Sequence, residues 1–424
     1  MYFGLTLLIP SQSVIAALGT IGAPSTLVAI ASLVWWVWYH VHRGRVEIHG
    51  AQLVRRAAIF LMLALLVVYR HALMQPMVAD EVMPADSGLL RFLGVLGIVL
   101  TATDGISSPE RLQVLIRRMT LGTGAVALLS IFQVLTGQLW VDKFPIPGLV
   151  SSGAGELIAR GAFLRPSGTS VHPIEFGAVL GMMLPLMISH ARTSISRRPL
   201  MWSCVALTGM AVVLSLSRTA LVCSVIGVAI LVPVWSKASR RLTIVGSLLG
   251  FAAVSVVVPG LLGTIRGLFV GSDNDPSVQS RTAGYSYAAQ MFSHSPWLGR
   301  GYGTFLPRYY IFDNGYLQFT VETGLVGVFA LLGLIVVAGL SAYRASRRFA
   351  LAADRELARA ALAAVVAGAV SVGFFDLFAF PQSASCLALV LGISGASYRL
   401  SSQTGTKHAV EVQTGDGAQV LDRT

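Results

Sequence analysis

The residues best suited to chemistry lie in and just after one long polar loop, residues 260–313. This loop leads directly into a hydrophobic segment that begins at Asp313. Within that segment, Asn314, Gln318 and Glu322 recur at intervals of four residues, which places them on one face of a helix. The loop also supplies four arginines: Arg266, Arg281, Arg300 and Arg308. Guanidinium groups bind phosphate oxygens, and a carboxylate near them can assist a proton transfer.

The polar stripe of this segment has two possible roles. A carboxylate about two turns inside an apolar helix is costly in hydrocarbon, so Glu322 is expected to face the interior of a helix bundle. The stripe could bind substrate there, or it could hold neighbouring helices together. Gly315, Gly324 and Gly327 would permit such close helix approach.

A second polar loop, residues 138–172, carries Arg160 and Arg165 and ends at a predicted helix start, because Pro173 suits a first helical position. His172 and Glu175, three residues apart, should meet at the mouth of that helix. Arg218 lies in a tight turn between two apolar runs, where an arginine is costly unless it has a partner. We expect Arg160, Arg165, Arg218 and the four arginines of the long loop to converge into one cationic cluster. The alternative is that they are ordinary solvated loop arginines.

These residues must be positioned by membrane-spanning helices. The chain has 424 residues, of which 54% are hydrophobic and 12% charged, whereas soluble domains have roughly 25% charged residues. Its long apolar runs lack polar faces, so the sequence predicts an all-α polytopic membrane protein. About twelve runs are long enough to span a bilayer, although Pro10 interrupts the first. They lie near residues 3–19, 22–40, 54–72, 88–104, 118–137, 173–190, 199–216, 219–235, 241–259, 315–341, 358–376 and 382–398.

The basic residues indicate the orientation of these helices. With a cytoplasmic N-terminus, every inside loop is basic and the outside loop 73–87 is acidic, as the positive-inside bias requires. The net charge of +12 therefore reflects topology and not nucleic-acid binding. The prediction is one transmembrane domain, residues 1–398, with cytoplasmic termini and its long loop 260–313 outside. The first helix is expected to be retained, and residues 399–424 to form a disordered tail.

The long loop itself contains an expected amphipathic helix and a glycine-rich turn. Residues 277–292 carry apolar side chains at helical spacing and should lie on the membrane surface. The glycines that follow, from residue 299 to residue 303, do not form a dinucleotide fingerprint because neither a strand nor a βαβ unit surrounds them. Such a turn can still present backbone N–H groups to an anion.

At these residues the sequence resembles the O-antigen ligase/polymerase family of bacterial envelope glycosyltransferases. The resemblance rests on Arg165-x-x-Gly168-Thr169-x-x-His172-Pro173; Ser217-Arg218-Thr219-Ala220; Arg281 followed by His294-Ser295-Pro296-Trp297-Leu298-Gly299-x-Gly301-x-Gly303-x-Phe305; and Asn314-Gly315-Tyr316-Leu317-Gln318 with Glu322-x-Gly324-x-x-Gly327. It implies transfer of a glycan from undecaprenyl pyrophosphate to a glycan acceptor on the outer face of the bacterial inner membrane, without metal, cofactor or nucleotide sugar. Other polysaccharide export proteins would be further partners.

The resemblance also assigns roles to individual residues. The candidate catalytic residues are Asp313, His172, Arg218 and Arg281. The candidate ligands for the pyrophosphate or glycan are Arg165, Arg218, Arg281, Arg300, Asn314, Tyr316, Gln318, Glu322 and Glu175. Without a metal, the arginines would have to stabilise the charge of the leaving pyrophosphate.

One departure from the family pattern concerns the general base. Ligases of this family typically carry a histidine just before the asparagine that opens the helix after the long loop, whereas this chain has Asp313. An exposed aspartate, with its ordinary pKa of about 3.9, is a weak base at neutral pH. His172 could be the base instead, or it could be a structural cap. Asp313 favours a polymerase that joins lipid-linked repeat units in O-antigen or exopolysaccharide synthesis. The alternatives are an O-antigen ligase or protein O-oligosaccharyltransferase and, more distantly, a polysaccharide flippase.

Overall fold

A computed structural model shows a protein that is 78% helical with few strands. It describes residues 1–424 except 43–51, 144, 152–156, 161–162, 195–196, 258–259, 270–275 and 422–424. The side chains of residues 142, 253–254, 257, 261, 268–269, 276–282 and 404–421 are also outside the description.

The helices of the described residues are α1 Tyr2–Leu8, α2 Pro24–His42, α3 Leu53–Ala72, α4 Ala79–Gly105, α5 Pro109–Thr136, α6 Pro173–Thr193, α7 Arg198–Leu214, α8 Arg218–Leu231, α9 Lys237–Val257, α10 Leu261–Phe269, α11 Pro276–His294, α12 Gly315–Arg348, α13 Ala352–Val372 and α14 Pro381–Leu421. Short 3-10 helices cover Ala16–Gly22, Trp140–Lys143, Val232–Val234 and Leu377–Ala379. Two small antiparallel pairs join β1 Ser13–Val14 to β2 Val150–Ser151, and β3 Ile158–Arg160 to β4 Phe163–Arg165.

Among the described residues, five helices are long and apolar enough to cross a membrane: α4, α5, α6, α12 and residues 381–403 of α14. A sixth span arises if Ala16–Gly22 and α2, which meet at 67°, are taken together. The prediction of a helical membrane protein is therefore confirmed. The count of about twelve spans stays a prediction, because it takes in helices that fall short of the usual length or hydrophobicity of a span.

The first predicted helix, residues 3–19, is wrong. Helix α1 ends at Leu8, and the chain then forms β1 and a 3-10 helix that is broken where Gly19 has a φ of +54°. Pro10, which lacks a backbone N–H, explains why α1 cannot continue. The segment that follows α1 is hydrogen-bonded to the second polar loop, since Ser11 N–H donates to the carbonyl of Thr169 at 2.9 Å.

Several other boundaries differ from the predictions; helix α5, for example, begins at Pro109 rather than near residue 118. Helix α4 begins at Ala79 rather than near residue 88, and Asp80 and Glu81 in its first turn suit the positive end of the helix dipole. Helix α11 agrees with the predicted surface helix 277–292, whereas α10 was not predicted. Helix α14 runs to Leu421, but side chains after Gln403 are outside the description, so the disordered tail stays a prediction.

The centre of the bundle is α6, which is buried along almost its whole length. It lies parallel to α8 at close range: a Cβ on Gly177 would meet the Cβ of Ala220 at 2.7 Å, and one on Gly181 would meet the Cβ of Cys223 at 2.9 Å. Helices α6, α8, α12 and α14 all begin at the same end of the bundle, which we call the site end.

Candidate functional site

The segment of residues 165–175, which leads into α6, is held by hydrogen bonds from three helices. The Gln133 side chain of α5 pairs with the Gly168 backbone, accepting from its N–H at 2.9 Å and donating to its carbonyl at 2.8 Å. Thr169 donates to the carbonyl of Leu7 at 2.6 Å and accepts from Gln382 of α14 at 3.0 Å. The motif around Gly168 and Thr169 therefore builds a rigid platform at the site end.

Glu175 belongs to the same framework. Its carboxylate is buried and accepts hydrogen bonds from the backbone N–H groups of Val171 at 2.9 Å, Gln382 at 2.7 Å and Ser383 at 3.4 Å. These bonds join the first turns of α6 and α14. Glu175, a predicted substrate ligand, thus connects two helices through hydrogen bonds in the structure.

His172 caps α6. Its Nδ1 accepts from the backbone N–H of Ile174 at 3.1 Å, which leaves the proton of the neutral ring on Nε2. Burial, and then the charge of Arg165, lower the pKa of His172 to about 4. In this arrangement His172 Nδ1 is already occupied, so the neutral ring is not a free proton acceptor.

This low pKa predicts acid sensitivity. An unfolded chain gains a proton on residue 172 below about pH 6.5, its ordinary pKa, but the folded protein gains it only near pH 4. The stability contribution is present above pH 6.5 and is lost as the pH falls towards 4. We expect the thermal unfolding midpoint in detergent to fall more steeply over this range in the native protein than in His172→Asn, because asparagine also caps a helix but does not titrate. Parallel curves for the two proteins would contradict the assignment.

Two arginines from the β3–β4 hairpin reach the turn between α7 and α8. Arg165 Nε donates to the carbonyl of Ser215 at 2.8 Å, and Arg160 Nη1 donates to the carbonyl of Leu216 at 3.3 Å. Ser217 then caps α8, whose first residue is Arg218. The predicted convergence of Arg165 and Arg218 therefore has a physical basis, because Arg165 contacts the turn that carries Arg218.

Arg165 is a buried charge in a cationic environment. It is 6% exposed, and its Nη2 makes no hydrogen bond within the described residues. Burial, and then the neighbouring charge of Arg160, lower the pKa of Arg165 to about 10. Because a buried guanidinium without an anion is costly, this arrangement is suited to an anionic ligand such as a phosphate.

The start of α12 forms the other half of the site. The Asn314 side chain caps the helix by accepting from the N–H groups of Tyr316 at 3.0 Å and Leu317 at 3.3 Å. The Tyr316 hydroxyl donates to the carbonyl of Ala369 at 2.8 Å. Two predicted glycan ligands, Asn314 and Tyr316, thus have structural partners, while Asp313 lies half-buried immediately before the cap.

The polar stripe of α12 binds the glycine-rich loop, which we define as residues 295–305. Gln318 donates to the carbonyl of Phe305 at 3.2 Å and to the Glu322 carboxylate at 2.9 Å. Glu322, which is 4% exposed, also accepts from the backbone of Gly303 and Phe305. The stripe therefore faces inward, as predicted, and its partner is this loop.

The same loop fills a break in α12. At Gly324 the backbone leaves the helical conformation, with φ +60° and ψ −164°. The carbonyls of Val321 and Glu322 accept instead from the N–H groups of Arg300 at 3.0 Å and Gly301 at 2.8 Å. In return, the N–H groups of Leu325 and Val326 donate to the carbonyls of Pro296 at 2.9 Å and Trp297 at 3.1 Å. The loop backbone thus replaces the helical hydrogen bonds that the break removes.

The remaining arginines of the long loop have other surroundings. Arg300 forms an ion pair with Glu81 and lies over the Tyr309 ring, 4.8 Å from its centroid. Arg308 pairs with Asp80 at 2.7 Å. Arg300, a predicted pyrophosphate ligand, is therefore directed to the first turn of α4. Arg281 lies in α11, but its side chain is outside the described residues.

A connector, residues 375–383, joins the two halves. The carbonyl of Phe375 accepts from the N–H of Gly315 at 3.1 Å, and the Phe375 ring packs on Phe380 with centroids 5.5 Å apart. Phe380 in turn lies 6.2 Å from the His172 ring. One pair of phenylalanine rings therefore separates His172 from the start of α12.

Asp376 in this connector was missed by the sequence reasoning, as was Arg91 of α4. Burial raises the pKa of Asp376 to about 6, although the backbone N–H groups of Ala379 and Phe378 and the charge of Arg91 oppose that rise. The sequence does contain a signal for both residues, since each is a lone charge in an apolar run.

No group of three or more His, Cys, Asp or Glu side chains that could hold a metal ion occurs among the described residues.

Fold and site together define a helical membrane protein with a polar, arginine-rich site at one end of its bundle. Residues 203–332, from α7 to the middle of α12, match the family model described as O-Antigen ligase. This match confirms the resemblance to the O-antigen ligase/polymerase family over that part of the chain. It includes Arg218, Asp313 and Glu322 but not the 165–175 segment. No curated protein matches the sequence.

Proposed function

We propose that this chain is a membrane glycosyltransferase that polymerises lipid-linked oligosaccharide repeat units on the outer face of the bacterial inner membrane. A hydroxyl of the acceptor attacks the anomeric carbon of the donor and forms the new glycosidic bond. The bond from that carbon to the pyrophosphate oxygen breaks, and undecaprenyl pyrophosphate leaves with the electron pair. The hydroxyl proton passes to a base at the site.

The observation that carries this proposal is the cationic cluster around the α7–α8 turn. Arg165 is buried there with an unused Nη2, Arg160 is close enough to lower its pKa, and Arg218 opens α8 two residues beyond Leu216. Preorganised guanidinium groups stabilise charge that develops on a leaving pyrophosphate. The family match independently supports enzymes of the ligase/polymerase type.

The choice of polymerase over ligase rests on Asp313, at the position where ligases typically carry histidine. The half-buried Asp313 precedes α12, across the connector from His172. Since His172 Nδ1 accepts from Ile174, Asp313 is the better candidate for the proton acceptor. A ligase remains the second candidate, because the matching family model is described by that activity.

The glycan profile of a deletion strain tests the proposed function. A polymerase defect accumulates single lipid-linked repeat units, and the intact gene should restore the polymer. Accumulation of finished lipid-linked polymer would identify a ligase instead. Repeat units stranded on the inner face would indicate a flippase.

In the same strain, Asp313→Ala should restore little polymer although the protein inserts normally. Loss of a positioned general base typically costs a factor of about 100 to 10,000 in rate. Asp313→Asn is the matched control for shape, since it keeps the polar contacts but accepts no proton, and it should be equally defective. An Asp313→Ala protein with the native polymer yield would show that this position is not the base.

A further inference from the structure

The turn between α7 and α8 contains an unusual backbone conformation. Leu216 has a φ of +46°, in the left-handed region that disfavours L-residues with a Cβ. The Leu216 side chain is 1% exposed, so the residue is fixed in the core. Strained backbone of this kind persists only where the surrounding structure enforces it, and it concentrates at functional sites.

The turn is bound by its own backbone, since Leu216 N–H donates to the carbonyl of Val213 at 3.2 Å, and also by the β3–β4 hairpin. In its register Ile158 pairs with Arg165 and Arg160 pairs with Phe163. Directly paired residues of an antiparallel sheet point to the same face, and so do residues two apart on one strand. Arg160 and Arg165 therefore project from one face of the hairpin, towards the turn.

The two arginines hold consecutive carbonyls of that turn. Arg165 Nε binds the carbonyl of Ser215 at 2.8 Å, and Arg160 Nη1 binds that of Leu216 at 3.3 Å. The first bond fixes the peptide unit before Leu216 and the second fixes the unit after it. Together they set the backbone direction on both sides of the strained residue.

Arg218 depends on this direction because only Ser217, the cap of α8, separates it from Leu216. We infer that Arg160 and Arg165 are positioning residues, which hold Leu216 in its left-handed conformation and so aim Arg218 into the site. This inference rests on the proposed function of Arg218. In this inference Arg160 acts on Arg218 indirectly, by holding the turn. Arg165 also holds the turn, and its Nη2 is still available to bind an anion.

A double-mutant cycle tests the inference. The background variants are Leu216→Ala and Leu216→Gly. Both remove the buried leucine side chain and differ from each other by one methyl group. Only glycine adopts a positive φ without an energetic penalty. Arg160→Ala is introduced into each background, and transfer of lipid-linked repeat units is measured in membranes. We expect a loss of about tenfold in the alanine background and about twofold in the glycine background, since coupled residues deviate from additivity by this order. Arg160→Lys, which can still donate to the Leu216 carbonyl, should retain most of the activity.

The same cycle is measured by thermal unfolding in detergent, which does not depend on catalysis. Arg160→Ala should lower the unfolding midpoint more in the alanine background than in the glycine background. Equal losses in both backgrounds, in activity and in unfolding midpoint, would overturn the inference and make Arg160 a direct substrate ligand or a bystander. If the native protein transfers no repeat units, the proposed function fails, and the unfolding measurements alone decide whether the hairpin holds the turn.

Discussion

Arg218→Ala should abolish glycan polymer while the protein still inserts into the membrane at the native level. Removing a group that stabilises developing charge in a buried site typically costs about 100-fold or more in rate. Arg218 is suited to that task because it opens α8 at the site end, next to a turn whose carbonyls accept hydrogen bonds from Arg160 and Arg165. The measurement is the polymer yield of the complemented deletion strain, normalised to the amount of membrane-inserted protein.

Two further variants make this result specific. Arg218→Lys keeps the charge but loses the planar fork that matches phosphate oxygens, so we expect partial activity at most. Arg308→Ala is the matched control, because Arg308 is also an arginine outside the apolar helices but forms an exposed ion pair with Asp80. That control should retain native yield. Normal polymer from Arg218→Ala would refute the catalytic role of this arginine.

Gly324→Ala should strongly destabilise the whole protein. Its backbone, with φ +60° and ψ −164°, lies in a region that is essentially restricted to glycine. A Cβ there would lie 2.5 Å from the carbonyl oxygen of Trp297 and 2.6 Å from the backbone N of Leu298. Because both are backbone atoms, the glycine-rich loop would have to leave the break, at a cost of about 3 kcal/mol or more.

Gly333→Ala provides the control in the same helix. Nothing lies within 4 Å of a Cβ at Gly333, so this change should be neutral or slightly stabilising. Gly299→Ala should reproduce the defect from the loop side, since a Cβ at Gly299 would meet the backbone N of Thr323 at 2.5 Å. The three variants are compared by thermal unfolding in detergent. If Gly324→Ala and Gly333→Ala unfold at the same temperature, the described fit of loop and helix is wrong.

The helices of the bundle could be predicted where local signals agree. The predicted run 54–72 corresponds to α3, Leu53–Ala72, and the predicted helix start at Pro173 is that of α6. Both have an apolar run and a clear terminus. The prediction of a helix over residues 3–19 was wrong because it gave more weight to hydrophobicity than to Pro10. A proline inside a helix is the stronger local signal.

The partners of individual site residues could not be predicted, because they come from distant parts of the chain. Arg300 was predicted to bind the pyrophosphate, but in the structure it forms an ion pair with Glu81 of α4. His172 and Glu175 were expected to form a pair at the helix mouth, but each instead binds backbone N–H groups. Sequence spacing indicates which residues share a face, but not which element covers that face.

The predicted cationic cluster agrees with the structure only in part, since Arg300 and Arg308 pair with Glu81 and Asp80 instead. Arg160, Arg165 and Arg218 stood out because an arginine near apolar helices needs a partner. Their arrangement around Leu216 was not predictable, since no local pattern in the sequence requires a leucine with positive φ. The geometry of this turn therefore includes a backbone feature that composition and periodicity do not reveal.

The exchange of hydrogen bonds between α12 and the glycine-rich loop also limits how such proteins can be recombined. Residues 296–301 of the loop and residues 321–326 of the helix complete each other's backbone bonding, so neither stretch is an independent module. A chimera that imports the long loop of a relative without the matching helix segment would leave buried carbonyls and N–H groups without partners. Exchange of the long loop between related chains should therefore preserve the fold only when the loop and the broken helix are transplanted together.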